Sequence, residues 1–146
     1  MNLTRGEYEL CDDKPRLDLD TIWSLLNATY WAAGRSREVI QTSIEHSVSF
    51  GVFHRGKQIG FGRAITDHAT YTCLCDIIIA PEHRGFGLGK WLVESILAHP
   101  DLQTGTVYLR TRDAQSLYRL FGFKDSMCMR LGTDEDLCLP SSTDGC

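Results

Sequence analysis

The chain has no apolar run approaching the ~20 residues that a membrane span needs, no basic excess and no Cys-x-x-Cys pair. Each absence removes a class of function. Without the apolar run no membrane partner is expected, and the lack of an N-terminal apolar signal segment points to the cytoplasm. A net charge of −4 and a pI near 5.7 leave no general nucleic-acid partner, which would favour a basic face. Six cysteines are present: Cys11, Cys73, Cys75, Cys128, Cys138 and Cys146. They share no ligand spacing with His46, His54, His68, His83 or His99, so no metal site is expected. Cys73 and Cys75 stand two apart on an apparent strand, on one face but without ideal pairing geometry, and the set reads as reduced thiols.

What is present is enough for one core: 146 residues, 42% of them hydrophobic. The expected organisation is a single domain over residues 1–132 and a polar tail over 133–146, in a monomer or homodimer. The chain is organised around Cys75 to Leu97, CDIIIAPEHRGFGLGKWLVESIL. A buried strand, Asp76-Ile77-Ile78-Ile79, stops at Pro81; a loop carries Gly85, Gly87 and Gly89; a helix follows with its stripe at Leu88, Leu92, Val93, Ile96 and Leu97. The first turn of a helix presents backbone N–H groups without intrahelical partners, at the positive end of the helix dipole. Glycine lets such a backbone approach an anion with no Cβ in the way, and Arg84 and Lys90 add charge. The segment therefore predicts a phosphate cradle, with a glycine-rich turn that holds no ligand as the alternative. It is not a Walker loop, which needs glycine at Arg84 and Ser or Thr at Trp91; nor is it a dinucleotide fingerprint, whose third glycine would fall at Lys90.

The elements around it are also legible. Gly6 to Cys11 predicts a short first strand. Asp18 or Asp20 caps a helix with Ile22, Leu25, Leu26 and Tyr30 on one stripe, ending near Gly34, and Ser36 caps a second helix, with Val39, Ile40 and Ile44, to about His46. From Ser47 the period becomes two: Val48, Phe50 and Val52 alternate to a turn at His54-Arg55-Gly56-Lys57, and Ile59, Phe61, Arg63 and Ile65 return. Gly60 and Gly62 on the returning strand mark either close approach of another group or a bulge. After a turn at Asp67-His68-Ala69, Tyr71 to Ile79 feeds the cradle. Thr106 to Arg110 is expected to lie parallel to Ile77–Ile79 through a crossover. Asp113 is expected to cap a helix closed by Gly122 at C′, and Met127 to Leu131 to form a last strand.

Arg-x-x-Gly-x-Gly (Arg84, Gly87, Gly89) after a strand, followed downstream by Leu117-Tyr118-Arg119-Leu120-Phe121-Gly122-Phe123, resembles the coenzyme signature and the LYxxxGF motif of the GNAT superfamily of acetyltransferases. The chain is also similar to small bacterial-type members carrying WxxGRxRE and TRDAxxLY. The resemblance implies an α/β (α+β) fold with a mixed, mostly antiparallel sheet, a parallel splayed strand pair at the acetyl-CoA site, and flanking helices. It implies acetyl-CoA as co-substrate, with no metal, contacted by Ile77, Ile78, Ile79, Arg84, Gly85, Phe86, Gly87, Leu88, Gly89, Lys90, Thr111 and Tyr118. Thr111 departs from the Asn that many relatives carry there, which puts that contact in doubt. The segment joining the first two helices, with Tyr30, Trp31 and Arg35, is the place to look for substrate contacts; packing is the alternative for the aromatics.

Transfer to an amine needs a neutral amine, a stabilised oxyanion and a proton for the departing thiolate. Asp76 is the candidate base, a water relay the alternative, and a strand Asp satisfied by a neighbour such as Arg110 the competing structural reading. Backbone N–H groups near Ile78 or Ile79 would meet the oxyanion, and Tyr118 would protonate the sulfur or hydrogen-bond it, unless its ring only packs. The expected function is an N-acetyltransferase acting on a small-molecule primary amine by direct attack. A protein or peptide amine, or a non-catalytic coenzyme A-binding module, are the alternatives.

Overall fold

The computed structural model describes residues 1–103 and 105–132; the expected tail, 133–146, lies outside the described residues. The chain divides into two compact units, Met1–Arg110 and a second beginning at Thr111.

In the first unit six strands lie side by side in chain order, β1 to β6. β1 (Asn2–Arg5) and β2 (Tyr8–Cys11) form an antiparallel hairpin, so the expected strand from Gly6 instead starts at Tyr8. Gly6 has φ of 62° and serves the turn. β3 (Val48–His54) and β4 (Lys57–Thr66) are joined by Arg55 and Gly56, both at positive φ, the two-residue primed turn that matches strand twist. The Arg55 guanidinium is held by Glu7 at 2.8–3.0 Å. Before β5 (Tyr71–Ile79), Asp67 Oδ1 accepts from the amides of Ala69, Thr70 and Tyr71, which folds the turn onto one carboxylate.

Helices cover the two faces for reasons written in their stripes. α1 (Leu19–Asn27) is capped by Asp18, whose Oδ1 accepts from the Asp20 and Thr21 amides; α2 (Arg37–Glu45) is capped by Ser36, whose hydroxyl accepts from the Val39 amide. Ile22 and Leu26 of α1 and Ile40 and Ile44 of α2 bury together with Phe61 and Ile78. α1 ends earlier than the expected Gly34 because Asn27 takes over the chain: its Oδ1 accepts from the Gly34 amide and its Nδ2 donates to the Arg35 carbonyl. On the opposite face lies α3 (Leu88–Leu97), burying Leu88, Leu92, Val93 and Ile96. A Cβ at Gly62 would sit 2.9 Å from Ile77 Cδ1 and 3.3 Å from Leu92 and Ile96, and one at Gly60 would sit 2.6 Å from Ile79 Cδ1. Both glycines thus permit close packing, and Gly62 also faces a bulge, so the two alternatives coexist at that position.

β6 (Thr106–Leu109) is parallel to β5 but pairs with Tyr71–Leu74, not with the expected Ile77–Ile79. In the second unit α4 spans Gln115–Arg119. Asp113 does not cap it; the Thr111 hydroxyl accepts from the Ala114 amide at 3.0 Å, three residues on, where a cap reaches and the Asp113 carboxylate does not. Gly122 does stand at C′: Phe123 N–H donates to Tyr118 O and Gly122 N–H to Arg119 O, the paired bonds of a glycine-closed helix. Met127 to Leu131 is not a strand. Among the described residues its backbone joins no ladder, and Met127, Met129 and Leu131 are fully exposed.

Candidate active site

Register decides what β5 offers. Phe61 pairs with Ile78 but Arg63 with Cys75, so Asp76 and Ile77 together oppose Gly62 alone. At this bulge Asp76 takes φ of 56°, a left-handed conformation that Asp tolerates better than most residues. The extra residue changes which side chains share a face: Ile77 and Ile79 turn to α3, while Asp76 and Ile78 face α1 and α2. β6 ends at Leu109, so beyond the Leu74–Leu109 pair the last half of β5 has no β6 partner.

This half of β5 leads into the glycine loop. Gly87, at φ of 74°, is the N-cap residue of α3, and Gly85 has φ of 84°. Among the described residues the backbone N–H groups of Gly85 through Lys90 donate to no protein acceptor. A Cβ at Gly85 would meet nothing within 4 Å, and one at Gly87 only the Arg5 guanidinium at 3.8 Å. Gly89 is the most informative. It sits inside the helix, at no positive φ, and its nearest neighbour to an added Cβ would be Ile79 Cγ1 at 3.9 Å. Glycine in a helix costs roughly 1 kcal/mol relative to alanine, and the fold itself requires no glycine at this position. Arg84 folds back, its Nε donating to the Ile79 carbonyl at 3.0 Å, which ties the loop to the strand end. Lys90 and Phe86 are exposed, and Leu88 is buried in the core.

Asp76, 7% exposed, is held by two arginines: Arg63 Nε donates to Oδ2 at 2.6 Å and Arg35 Nη1 to Oδ1 at 2.9 Å. The expected neighbour Arg110 is not its partner. Arg35, expected at the acceptor site, instead pins the α1–α2 connection to the bulge. Trp31 packs against the core cluster and Tyr30 is exposed, so the two aromatics divide between packing and surface. Arg63 was overlooked as a functional residue, although an arginine at an inward position of the Ile59-Phe61-Arg63-Ile65 alternation signals a carboxylate facing it. It also borders an open groove of about 500 Å³ between α2 and β4, lined by Glu38, Val39, Thr42, Ser43, His46 and Ile65 besides Arg63.

In the second unit, Thr111 is engaged by the Ala114 amide. The Tyr118 ring is buried edge-on against Phe123, and its hydroxyl has no hydrogen-bond partner among the described residues. Burial first, and the nearby Asp113 carboxylate second, push its phenol up to about 12. The hydroxyl is therefore a neutral donor across the physiological range. Among the described residues no group of three or more His, Cys, Asp or Glu could hold a metal ion, and no helix is long and apolar enough to cross a membrane.

The comparisons with known proteins agree with this layout. A family model described as an acetyltransferase (GNAT) domain matches residues 45–125, more than half of the chain. A Gibberella zeae protein named as an acetyltransferase is 29% identical, over 85% of this chain and 83% of its own. A solved Xanthomonas campestris protein, described as an acetyltransferase of the GNAT family, superposes with a TM-score of 0.85 at 35% identity, covering 92% of this chain and 98% of that one. A GNAT acetyltransferase from Elizabethkingia anophelis, crystallised with acetyl-CoA bound, shares the fold at a TM-score of 0.66 and 16% identity, over 84% and 80% of the two chains. The matched residues include the parallel β5–β6 pair, the glycine loop and α4: this chain belongs to the GNAT superfamily of N-acetyltransferases and is an acyltransferase.

Proposed function

We propose that the chain, with residues 1–132 acting as one catalytic domain in the cytoplasm, transfers an acetyl group from acetyl-CoA to the primary amine of a small molecule. The observation that carries this reading is Gly89, a helical glycine that the protein's own packing does not require, set among amides that lack acceptors. Such a site suits the pyrophosphate of a coenzyme whose phosphates approach the backbone closely. The residues that would hold it are Gly85 to Lys90, with Arg84 and the β5 edge from Ile77 to Ile79 beside them.

Acetyl-CoA supplies an activated thioester. The protein's residues then have three tasks. Backbone N–H groups near Ile78 and Ile79, on the half of β5 without a β6 partner, meet the negative charge that grows on the carbonyl oxygen. Tyr118, neutral and with an uncommitted hydroxyl, donates to the sulfur as it leaves. An alkylammonium near pKa ~10.4 must lose a proton before attack. Asp76 is ill placed to take it, because both its oxygens already accept from guanidinium groups and a proton would displace one of those bonds. We assign that step to a water relay and give Asp76 the task of fixing Arg35 and of holding Arg63 at the groove. Thr111, whose oxygen accepts from the Ala114 amide, keeps an O–H that can donate to the coenzyme arm.

The test pairs calorimetric titration of acetyl-CoA with release of free thiol over a panel of small amines and short peptides. Binding with turnover on a small amine is expected. Absence of acetyl-CoA binding refutes the proposal; turnover on peptides alone reassigns the acceptor to a protein amine; binding without turnover on any amine marks a regulatory module.

A further inference from the structure

Cys73 and Cys75, two apart on β5 and before the bulge, share the face opposite α3, in register with Ile65 and Arg63 of β4. Their sulfurs lie 3.9 Å apart, Cys75 Sγ donating to Cys73 Sγ, and both residues are partly exposed. The hydrogen bond from Cys75 holds the Cys73 thiol below its ordinary range; burial opposes this, while a hydrogen bond from Tyr71 and the charges of Arg63 and Arg110 support it. The Cys75 thiol is moved the other way by its bond to Cys73 and by burial, so the shared proton stays on Cys75. Cys11 is a free cysteine buried in the core. Nothing in acetyl transfer by direct attack uses this pair.

We infer that Cys73 and Cys75 form a peroxide-reactive dithiol, a modification site in which Cys73 is the attacking sulfur and Cys75 the resolving one. The Cys73 thiolate attacks one oxygen of a hydroperoxide: an S–O bond forms, the O–O bond breaks, sulfur loses two electrons to the peroxide, and the leaving oxygen departs as water or alcohol after taking a proton. Cys75 then attacks the sulfenic sulfur. An S–S bond forms, the S–O bond breaks, and hydroxide leaves with the Cys75 proton as water. Two thiols and one hydroperoxide thus give one disulfide and two hydroxylic products. Two residues apart on a strand the Cα atoms are roughly 6.6 Å apart, near the upper limit for a disulfide, so the bridge closes under strain and is readily reduced. The neighbouring bulge at Asp76 is where the backbone gives.

The experiment uses the full chain with Cys128, Cys138 and Cys146 replaced by serine, treated with one equivalent of hydrogen peroxide. Expected are the loss of two titratable thiols, a mass lower by about 2 Da, a peptide carrying Cys73 linked to Cys75, and full reversal by dithiothreitol. In Cys75→Ser the reaction stops at a sulfenic acid on Cys73, trapped by dimedone. In Cys73→Ser the rate of peroxide consumption falls by at least about ten-fold. Thermal melting confirms that each variant is folded, and Cys73→Ala and Cys75→Ala repeat the comparison. Equal rates in the Cys73 variants and their parent overturn the inference, as does a parent that gains oxygen without losing two hydrogens. These readouts do not depend on acetyl transfer, so the acetyltransferase proposal and this one fail separately.

Discussion

Removing the Asp76 carboxylate separates a structural anchor from a catalytic base. Truncating one member of a buried ion pair costs about 3–5 kcal/mol, because the other charge is left uncompensated. Arg63, 11% exposed and bordering the groove, has limited access to water, so the low end, about 3 kcal/mol, applies. Arg35, 32% exposed, is screened and adds less than about 1 kcal/mol. Backbone conformation adds a term of its own. At φ of 56° an alanine pays roughly 1–2 kcal/mol that Asp and Asn largely escape and glycine does not incur. Asp76→Ala is therefore expected to lose about 4–6 kcal/mol, Asp76→Gly about 3, and Asp76→Asn, which keeps one accepting oxygen and the backbone tolerance, about 2. Denaturant unfolding at constant m-value reads these differences, and thiol release from acetyl-CoA against pH reads catalysis in the same preparations. The reasoning is refuted if Asp76→Asn is as stable as the wild type while its turnover collapses at neutral pH and recovers at high pH. That pattern is the signature of a base.

Gly89→Val should weaken acetyl-CoA binding at least about ten-fold in calorimetry with little change in melting temperature, since an added Cβ would meet only Ile79 Cγ1, at an ordinary contact distance of 3.9 Å; undiminished affinity would remove the cradle assignment. Tyr118→Phe keeps the ring against Phe123, so turnover should fall by roughly ten- to a thousand-fold at nearly constant stability below pH 9. The same variant tests the raised phenol. With a folded value near 12 and an unfolded one near 10, only the unfolded chain ionises between them, so wild-type stability should fall across that window by about 2–3 kcal/mol, and Tyr118→Phe should lack this loss. Gly60→Ala places a Cβ 3.0 Å from the Ile78 carbonyl and 2.6 Å from Ile79 Cδ1, and should cost about 1–3 kcal/mol in unfolding experiments; neutrality would show that β4 and β5 can separate freely.

By itself the sequence determined the features set by neighbouring residues. Asp18 and Ser36 announce their helices because a cap accepts from amides two or three positions on. Gly56 and Gly122 mark a hairpin turn and a helix end because both need positive φ, and the loop from Gly85 to Lys90 announces an anion site because a helix start leaves its own amides free. The LYxxxGF and Arg-x-x-Gly-x-Gly segments carried the family for the same reason: each is a contiguous stretch. Where β6 pairs, that Met127 to Leu131 joins no strand ladder among the described residues, and which side chains share a face beyond the bulge were decided only by the tertiary structure. A single extra residue opposite Gly62 reverses the facing of everything after Cys75. That slip puts Asp76 between Arg35 and Arg63, residues 41 and 13 positions away in the chain, and turns a candidate base into an anchor. The 3.9 Å approach of the Cys73 and Cys75 sulfurs, which share a face by strand alternation alone, is likewise seen only in the tertiary structure. Strand register is a balance over the whole sheet, and no local stretch of sequence contains it.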